Sequence, residues 1–297
     1  MESVSKSRLK LIILLTVVFA ATVCRAQQIT FTGNAEVFMP GLVSTKNADV
    51  KITFSPDGKK MLWGGIDWIA GKKDNDIWQS DKVNGKWTKP ERVSFDTDSD
   101  DFDPFFLPDG RGVYFFSNRP GGFGGDDIYF VPYNKTTNTF GEAMNLGSGI
   151  NTAGNEWAPI TDASGKYLIF SSDGHGGLGG EDLFKAEILP SGYGKPENLG
   201  SNINGPDDDF DAAVLPNDAL VFTSCRNKDK KAELYIAYKK NGTFTTPEKL
   251  PVQINGSEFW TFAPSVNFRE PGCLYFCSHL KPNIGRTDVY RVRYKMK

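Results

Sequence analysis

Histidine is almost missing from this chain. Only His175 and His279 occur, both in loops, and no metal spacing or Ser-His-Asp order surrounds either of them. Histidine-based metal or triad chemistry therefore lacks its material. Cysteine is also scarce, with four residues, one of them (Cys24) in an N-terminal leader. The other three, Cys225, Cys273 and Cys277, are an odd number, which leaves at least one thiol free in an exported protein. Cys273 and Cys277 stand four apart on an expected strand, roughly 13 Å, too far to bond to each other. Cys225 and Cys277 end the same strand of consecutive repeats and could pair; the other reading is buried thiols that act as small hydrophobes.

An excess of basic charge is absent too. Lys and Arg number 34 against 36 Asp and Glu, a net charge of −2 without basic runs, which excludes nucleic acid as a partner. Long apolar runs are limited to Leu11 through Val23, preceded by Lys6, Arg8 and Lys10. This run is short for a membrane span and reads as a signal peptide over residues 1–26, with Cys24 and Ala26 at the small-residue positions before cleavage. Lipidation of Cys24 is the alternative, although Thr22-Val23-Cys24-Arg25 is a poor lipobox. No second apolar segment follows, so residues 27–297 are expected to have no transmembrane segment and to be periplasmic, outer-membrane-associated or secreted.

What the chain does have is 31 Gly, 17 Pro and 13% aromatic residues, the composition of many short strands joined by tight turns. An acidic residue, a branched aliphatic and an aromatic recur together five times: Asp76-Ile77-Trp78, Asp127-Ile128-Tyr129, Asp182-Leu183-Phe184, Glu233-Leu234-Tyr235 and Asp288-Val289-Tyr290. The intervals alternate between 51 and 55 residues, a period that marks stacked supersecondary units. Each unit opens with an apolar strand that runs into a turn such as Ser55-Pro56-Asp57-Gly58 or Pro108-Asp109-Gly110. A second strand, a polar loop and the triplet strand follow. A fourth strand carries an aromatic, a proline and an aliphatic at steps of three, as in Trp87, Pro90, Val93 and Tyr193, Pro196, Leu199; proline there suits an outer edge.

Four antiparallel strands repeated five times predict an all-β, five-bladed β-propeller over residues 27–297. Blades are expected at about 47–97, 98–152, 153–205, 206–256 and 257–297. The fifth unit lacks a fourth strand, while Val37, Pro40 and Val43 repeat the steps of three near the N-terminus. Residues 35–43 are therefore expected to complete the last blade and close the ring, leaving no open sheet edge.

The stretches Phe116 through Tyr129 and Ser172 through Phe184, with their Gly-Gly-x-Gly-Gly loops, resemble the WD40-like repeats known as PD40, found in TolB-like propellers and in envelope proteins of the Bacteroidetes type. The first, fourth and fifth units lack the double-glycine loop. The resemblance spans residues 35–297 and implies an envelope protein that binds other components, without one fixed reaction.

Two stretches match metal-binding motifs only in part. Gly121 through Tyr129 matches a calcium-binding nonapeptide, but that motif works only when stacked every nine residues. Asp96 through Asp101 starts like an EF-hand loop without its glycine or final glutamate. No metal and no cofactor is expected.

Asp49, Asp101, Glu156 and Asp209 fall at one equivalent position, just before each innermost strand, where a propeller opens its axial channel; Thr261 breaks the series. Convergent carboxylates could perform glycoside hydrolysis, one as acid and one as base or nucleophile. Alternatively each caps local backbone N–H groups, since repetition is what structure produces and a catalytic pair needs asymmetry. Trp68, in a loop with no counterpart, and Trp157 and Trp260, which stand where other units have Phe102 and Phe210, are candidate ligand platforms. The expected function is an exported, non-catalytic binding or scaffolding propeller. It would be a monomeric domain in a larger assembly, holding an envelope protein or glycan at the mouth ringed by Asp49, Asp101, Glu156 and Asp209. The alternative is a polysaccharide-processing hydrolase or lyase using two of those carboxylates.

Overall fold

The computed structural model describes residues 28–66 and 75–296. The leader and Trp68 lie outside them. The chain is a five-bladed β-propeller. Its innermost strands are Ala48–Phe54, Asp101–Phe106, Glu156–Thr161, Asp209–Leu215 and Phe262–Val266, each hydrogen-bonded to the second strand of its own blade. The triplets open the third strands in blades 2 to 5 and lie one residue into the third strand, Asn75–Val83, in blade 1. A strand packed on both faces by neighbouring blades has no solvent face. Accordingly Asp101–Phe106 and Gly112–Ser117 are buried at every position, where a half-exposed strand would alternate.

The turns between first and second strands follow from their sequence. Gly58, Gly110 and Gly165 adopt φ of 69°, 74° and 69°, and the aspartate just ahead of the turn glycine, or three before it at Asp162, accepts a later backbone N–H: Asp57 from Lys59, Asp109 from Arg111, Asp162 from Lys166. The fourth strands are broken in two around the proline slot, as in Lys86–Trp87 and Glu91–Arg92. The outer edges of blades 1 to 4 are therefore pairs of short rungs.

The ring closes through an N-terminal strand, but in a different register from the one expected. Ile29–Val37 pairs antiparallel with Asp288–Met296, and Phe31 lies opposite Tyr294. That is the place of Trp87 opposite Lys82, Phe140 opposite Tyr133, Tyr193 opposite Ile188 and Phe244 opposite Lys239. Phe38 donates its N–H to Val289, as Val93 does to Ile77 and Leu146 to Ile128. The repeat's aromatic place is thus held by Phe31 and its aliphatic place by Phe38, not by Val37 and Val43. An irregularity between Thr32 and Glu36, with Gly33 at φ 75°, adds a residue and hides the spacing. Pro40 and Val43 belong to the turn that leads into blade 1.

All three described cysteines are free and buried, which leaves the reading of small hydrophobes.

Candidate functional site

The four entry carboxylates occupy equivalent places, and each is turned toward its own blade. Asp49 accepts the Thr45 N–H at 2.7 Å and its hydroxyl at 2.9 Å; Asp101 takes both from Thr97 at 2.7 Å. Glu156 takes the Thr152 N–H at 2.8 Å and hydroxyl at 2.7 Å, and Asp209 the Gly205 N–H at 2.6 Å. Further partners come from the second strand or the loop after it: Arg119 on Asp101, Ser172 on Glu156, Arg226 on Asp209. None is more than 4% exposed. Burial pushes the Asp49 carboxyl up to about 7 and also raises Glu156 and Asp209, against the hydrogen bonds that lower them. At Thr261 the hydroxyl bonds Ser278 instead. These groups fix blade junctions, and among the described residues every hydrogen bond they accept comes from their own blade or its entry turn.

Three of the five triplet acids are engaged in the same manner, while Asp76 pairs with Arg92 and Glu233 with Lys231 and Lys249. Asp127 accepts the N–H groups of Phe123 and Gly124, and Asp182 those of Leu178 and Gly179. Asp288 repeats this with Ile284 and Gly285 although its loop lacks the double glycine. The glycine is required by contact: a Cβ on Gly124 would strike the carbonyl of Gly154 in the turn entering the next blade. Asp126, the aspartate of the nonapeptide match, accepts the Trp157 Nε1–H, and Asp96 and Asp100 accept the N–H groups of Ile77 and Asn75.

A second repeated device escaped the sequence reading. Asn151 accepts the N–H of Ile128 and returns a bond to its carbonyl, and Asn204 and Asn255 do the same for Leu183 and Leu234. The pairs Ile150-Asn151, Ile203-Asn204 and Ile254-Asn255, four residues after Leu146, Leu199 and Leu250, were the available signal. Ser44 fills this role in blade 5.

The groups that do converge on the axis lie two residues further along each innermost strand. Lys51, Asp103, Ala158, Asp211 and Ala263 all sit at a register shift with φ between 43° and 52°, an uncommon conformation for residues other than glycine. Lys51 Nζ lies 3.6 Å from Asp211 Oδ1, and the Ala263 N–H donates to Asp211 Oδ2 at 3.0 Å. Blades 1, 4 and 5 are tied together at that point. Asp103 is pushed up to about 8 by burial and by Asp211, with Lys51 opposing. The visible signal was a charged residue inside an apolar strand, as in Val50-Lys51-Ile52 and Phe102-Asp103-Pro104.

Beside the entries stand the aromatics. Trp157 packs with Val50, Phe102 and Phe262 in one cluster drawn from four blades, and its Nε1–H donates to Asp126 at 2.7 Å. Trp157 does hold the place of Phe102 and Phe210. Trp260 does not: Phe262 has that place, opposite Cys277, and Trp260 stands two residues earlier, 54% exposed, with Phe210 and Phe262 rings at 6.3 and 6.4 Å. Phe259, 60% exposed, packs edge-on against His279 at 5.0 Å. Phe259, Trp260, Phe262 and His279 line a recess of about 750 Å³ in the one blade whose entry acid is replaced. At the junction of blades 3 and 4 the mouth is acidic, and Glu181 there is raised to about 7 by burial and by Asp208, Asp211 and Asp173.

No family model matches the chain, and no curated protein matches it. Among solved structures, an endo-arabinase from Bacteroides thetaiotaomicron superposes with TM-score 0.55 at 12% identity, covering 88% of this chain and 98% of that one. An α-L-arabinofuranosidase from Lactobacillus brevis gives 0.54 at 13% identity, covering 84% and 92%. TolB from Acinetobacter baumannii gives 0.48 at 17% identity, and this chain spans only 56% of its length while 84% of this chain is matched. At such identities the endo-arabinase and the arabinofuranosidase show a shared fold and nothing finer.

Proposed function

We propose that this chain is an exported, non-catalytic binding propeller of the bacterial cell envelope, of the PD40 kind, which takes a protein or glycan on the blade 4–5 side of its channel mouth. One observation carries the reading: the repeated carboxylates are buried and spent on backbone, while Trp260 and Phe259 are exposed where the repeat fails. An aromatic pair of this kind offers stacking area to a sugar face or an apolar peptide side chain at little entropic cost. Pull-down from envelope extract tests it. A Phe259→Ser/Trp260→Ser double variant that folds normally should lose the partner recovered by the parent protein; undiminished recovery sinks the proposal.

Hydrolysis has one observation in its favour, the interacting carboxyls Asp103 and Asp211 on the axis of a fold that also serves arabinan-cleaving enzymes. Against it, Asp103 and Asp211 are 7% and 5% exposed, and Asp211 is held by Lys51 and the Ala263 N–H. Release of sugar from an arabinan or mixed-glycan panel, abolished in Asp103→Asn, would reverse the assignment.

A further inference from the structure

Blades 1 to 3 meet at their rims where the aromatic of one outer strand reaches the second strand of the blade before it. Lys60 Nζ of blade 1 lies 5.6 Å from the centre of the Phe140 ring of blade 2, and the hydroxyls of Tyr114 in blade 2 and Tyr193 in blade 3 are 2.9 Å apart. Phe244, the matching aromatic of blade 4, is partly buried and meets no ring or cation among the described residues. A recess of about 470 Å³ opens there between blades 3 and 4, and it shares no residue with the recess at Trp260. Tyr167 lines it, at a position where the repeat fails. The residues that open the second strands of the other blades, Lys60, Gly112, Ala219 and Cys273, are all buried, whereas Tyr167 is 37% exposed. Lys185 covers one face of its ring, with Nζ 5.4 Å from the centre, and is held in turn by Glu197 at 3.1 Å. The ring is thereby set in place ahead of any ligand, which spares an ordering cost.

We propose that this recess binds a neutral glycan, with one pyranose ring stacked on Tyr167 and a neighbouring unit against Phe244. A pyranose ring is apolar C–H on its faces and hydroxyl around its edge, so it needs an aromatic or aliphatic bed inside a polar rim. The bed is Tyr167 and Phe244 with the partly buried Leu199 and Val214. On the rim, Lys185 and Lys239 only donate while Glu197 and Asp218 only accept, so hydroxyls, which do both, find partners of each kind. Charge selects against an acidic sugar. With Asp162, whose carboxylate is spent on the N–H groups of Lys166 and Tyr167, the rim holds more acids than bases, and a bound carboxylate would meet no surplus cation. Size follows from volume: an apolar cavity of about 150 Å³ takes benzene, so this recess takes about two or three six-membered rings. The site is independent of the mouth at Trp260.

Saturation-transfer NMR of the folded protein with cellotriose, xylotriose, maltotriose and mannotriose, each at millimolar concentration, and with trigalacturonate as the acidic control, tests the site. At least one neutral trisaccharide is expected to bind, about tenfold more tightly than trigalacturonate. Its binding should fall about tenfold in Tyr167→Ala, the scale of one lost stacking contact, and persist in Tyr167→Phe. Should Tyr167→Ala fail to fold, Thr243→Trp gives the same test: it sets a bulky ring into the recess from an exposed hairpin position, and binding should vanish. No binding by any neutral trisaccharide, tighter binding of trigalacturonate than of all four, loss of binding in Tyr167→Phe, or full binding in Tyr167→Ala or Thr243→Trp each overturns the proposal.

Discussion

Arg119 and Arg226 show how one side chain can secure a blade. Each guanidinium meets an entry carboxylate, Asp101 at 2.5 Å or Asp209 at 2.7 Å, while lying between two aromatic rings: Phe115 and Tyr129 for Arg119, Phe222 and Tyr235 for Arg226. Asp101 and Asp209 are fully buried, so removing the arginine leaves a charge without its partner, a change that costs about 3–5 kcal/mol where nothing else compensates. The Thr97 bonds to Asp101 remain and soften the loss. Arg119→Met should therefore lower unfolding free energy by about 2–3 kcal/mol in urea titration, and Arg119→Met/Asp101→Asn should recover part of it. A single-variant loss below about 0.5 kcal/mol would show the pair to be ornamental. Neither arginine was legible as important, since blades 1, 3 and 5 close the same position by other means, Glu156 through Ser172 and Asp49 without any arginine.

At the level of elements, the triplets made the blades countable because the third strand is buried where it begins, tolerates few residue types there and so repeats its letters. Closure was legible only in outline. The closing strand was placed by proline spacing, yet proline marks an exposed edge where little is enforced, whereas Phe31 opposite Tyr294, with ring centroids 6.1 Å apart, marks a packed contact. The two registers make opposite forecasts. Phe31→Ala should cost about 2 kcal/mol, and Pro40→Ala, at an exposed turn, under about 0.5 kcal/mol; thermal melts of the two variants decide. The axial residues stayed hidden for another reason. Periodicity finds what all five blades share, and Lys51, Asp103, Ala158, Asp211 and Ala263 share a backbone conformation but no one chemistry.

The whole molecule carries an unusual response to pH. Asp49, Asp96, Asp103 and Glu181 are raised by burial to about 7, 6, 8 and 7. The folded protein thus holds protons that the unfolded chain, with ordinary carboxyls near 4, has released, and stability falls as pH rises through this interval. Asp57 and Glu270 are lowered and act in the opposite sense below it. The melting temperature should be higher at pH 5 than at pH 8, with Asp103→Asn flattening the slope; a melting temperature that climbs from pH 5 to pH 8 contradicts the assignment. Reductant should leave the melting temperature unchanged at either pH, because the three described thiols are free and buried.

The pairing of Ile29–Val37 with Asp288–Met296 joins segments separated by some of the longest sequence distances in the chain. At about 5–20 residues per second of synthesis, the first of these strands waits on the order of tens of seconds for its partner to exist. Until then the ring is an arc with two unfinished edges. Its first-made strand is therefore the last to be seated, and during that wait the arc can be held, threaded or mispaired in ways that the completed circle forbids.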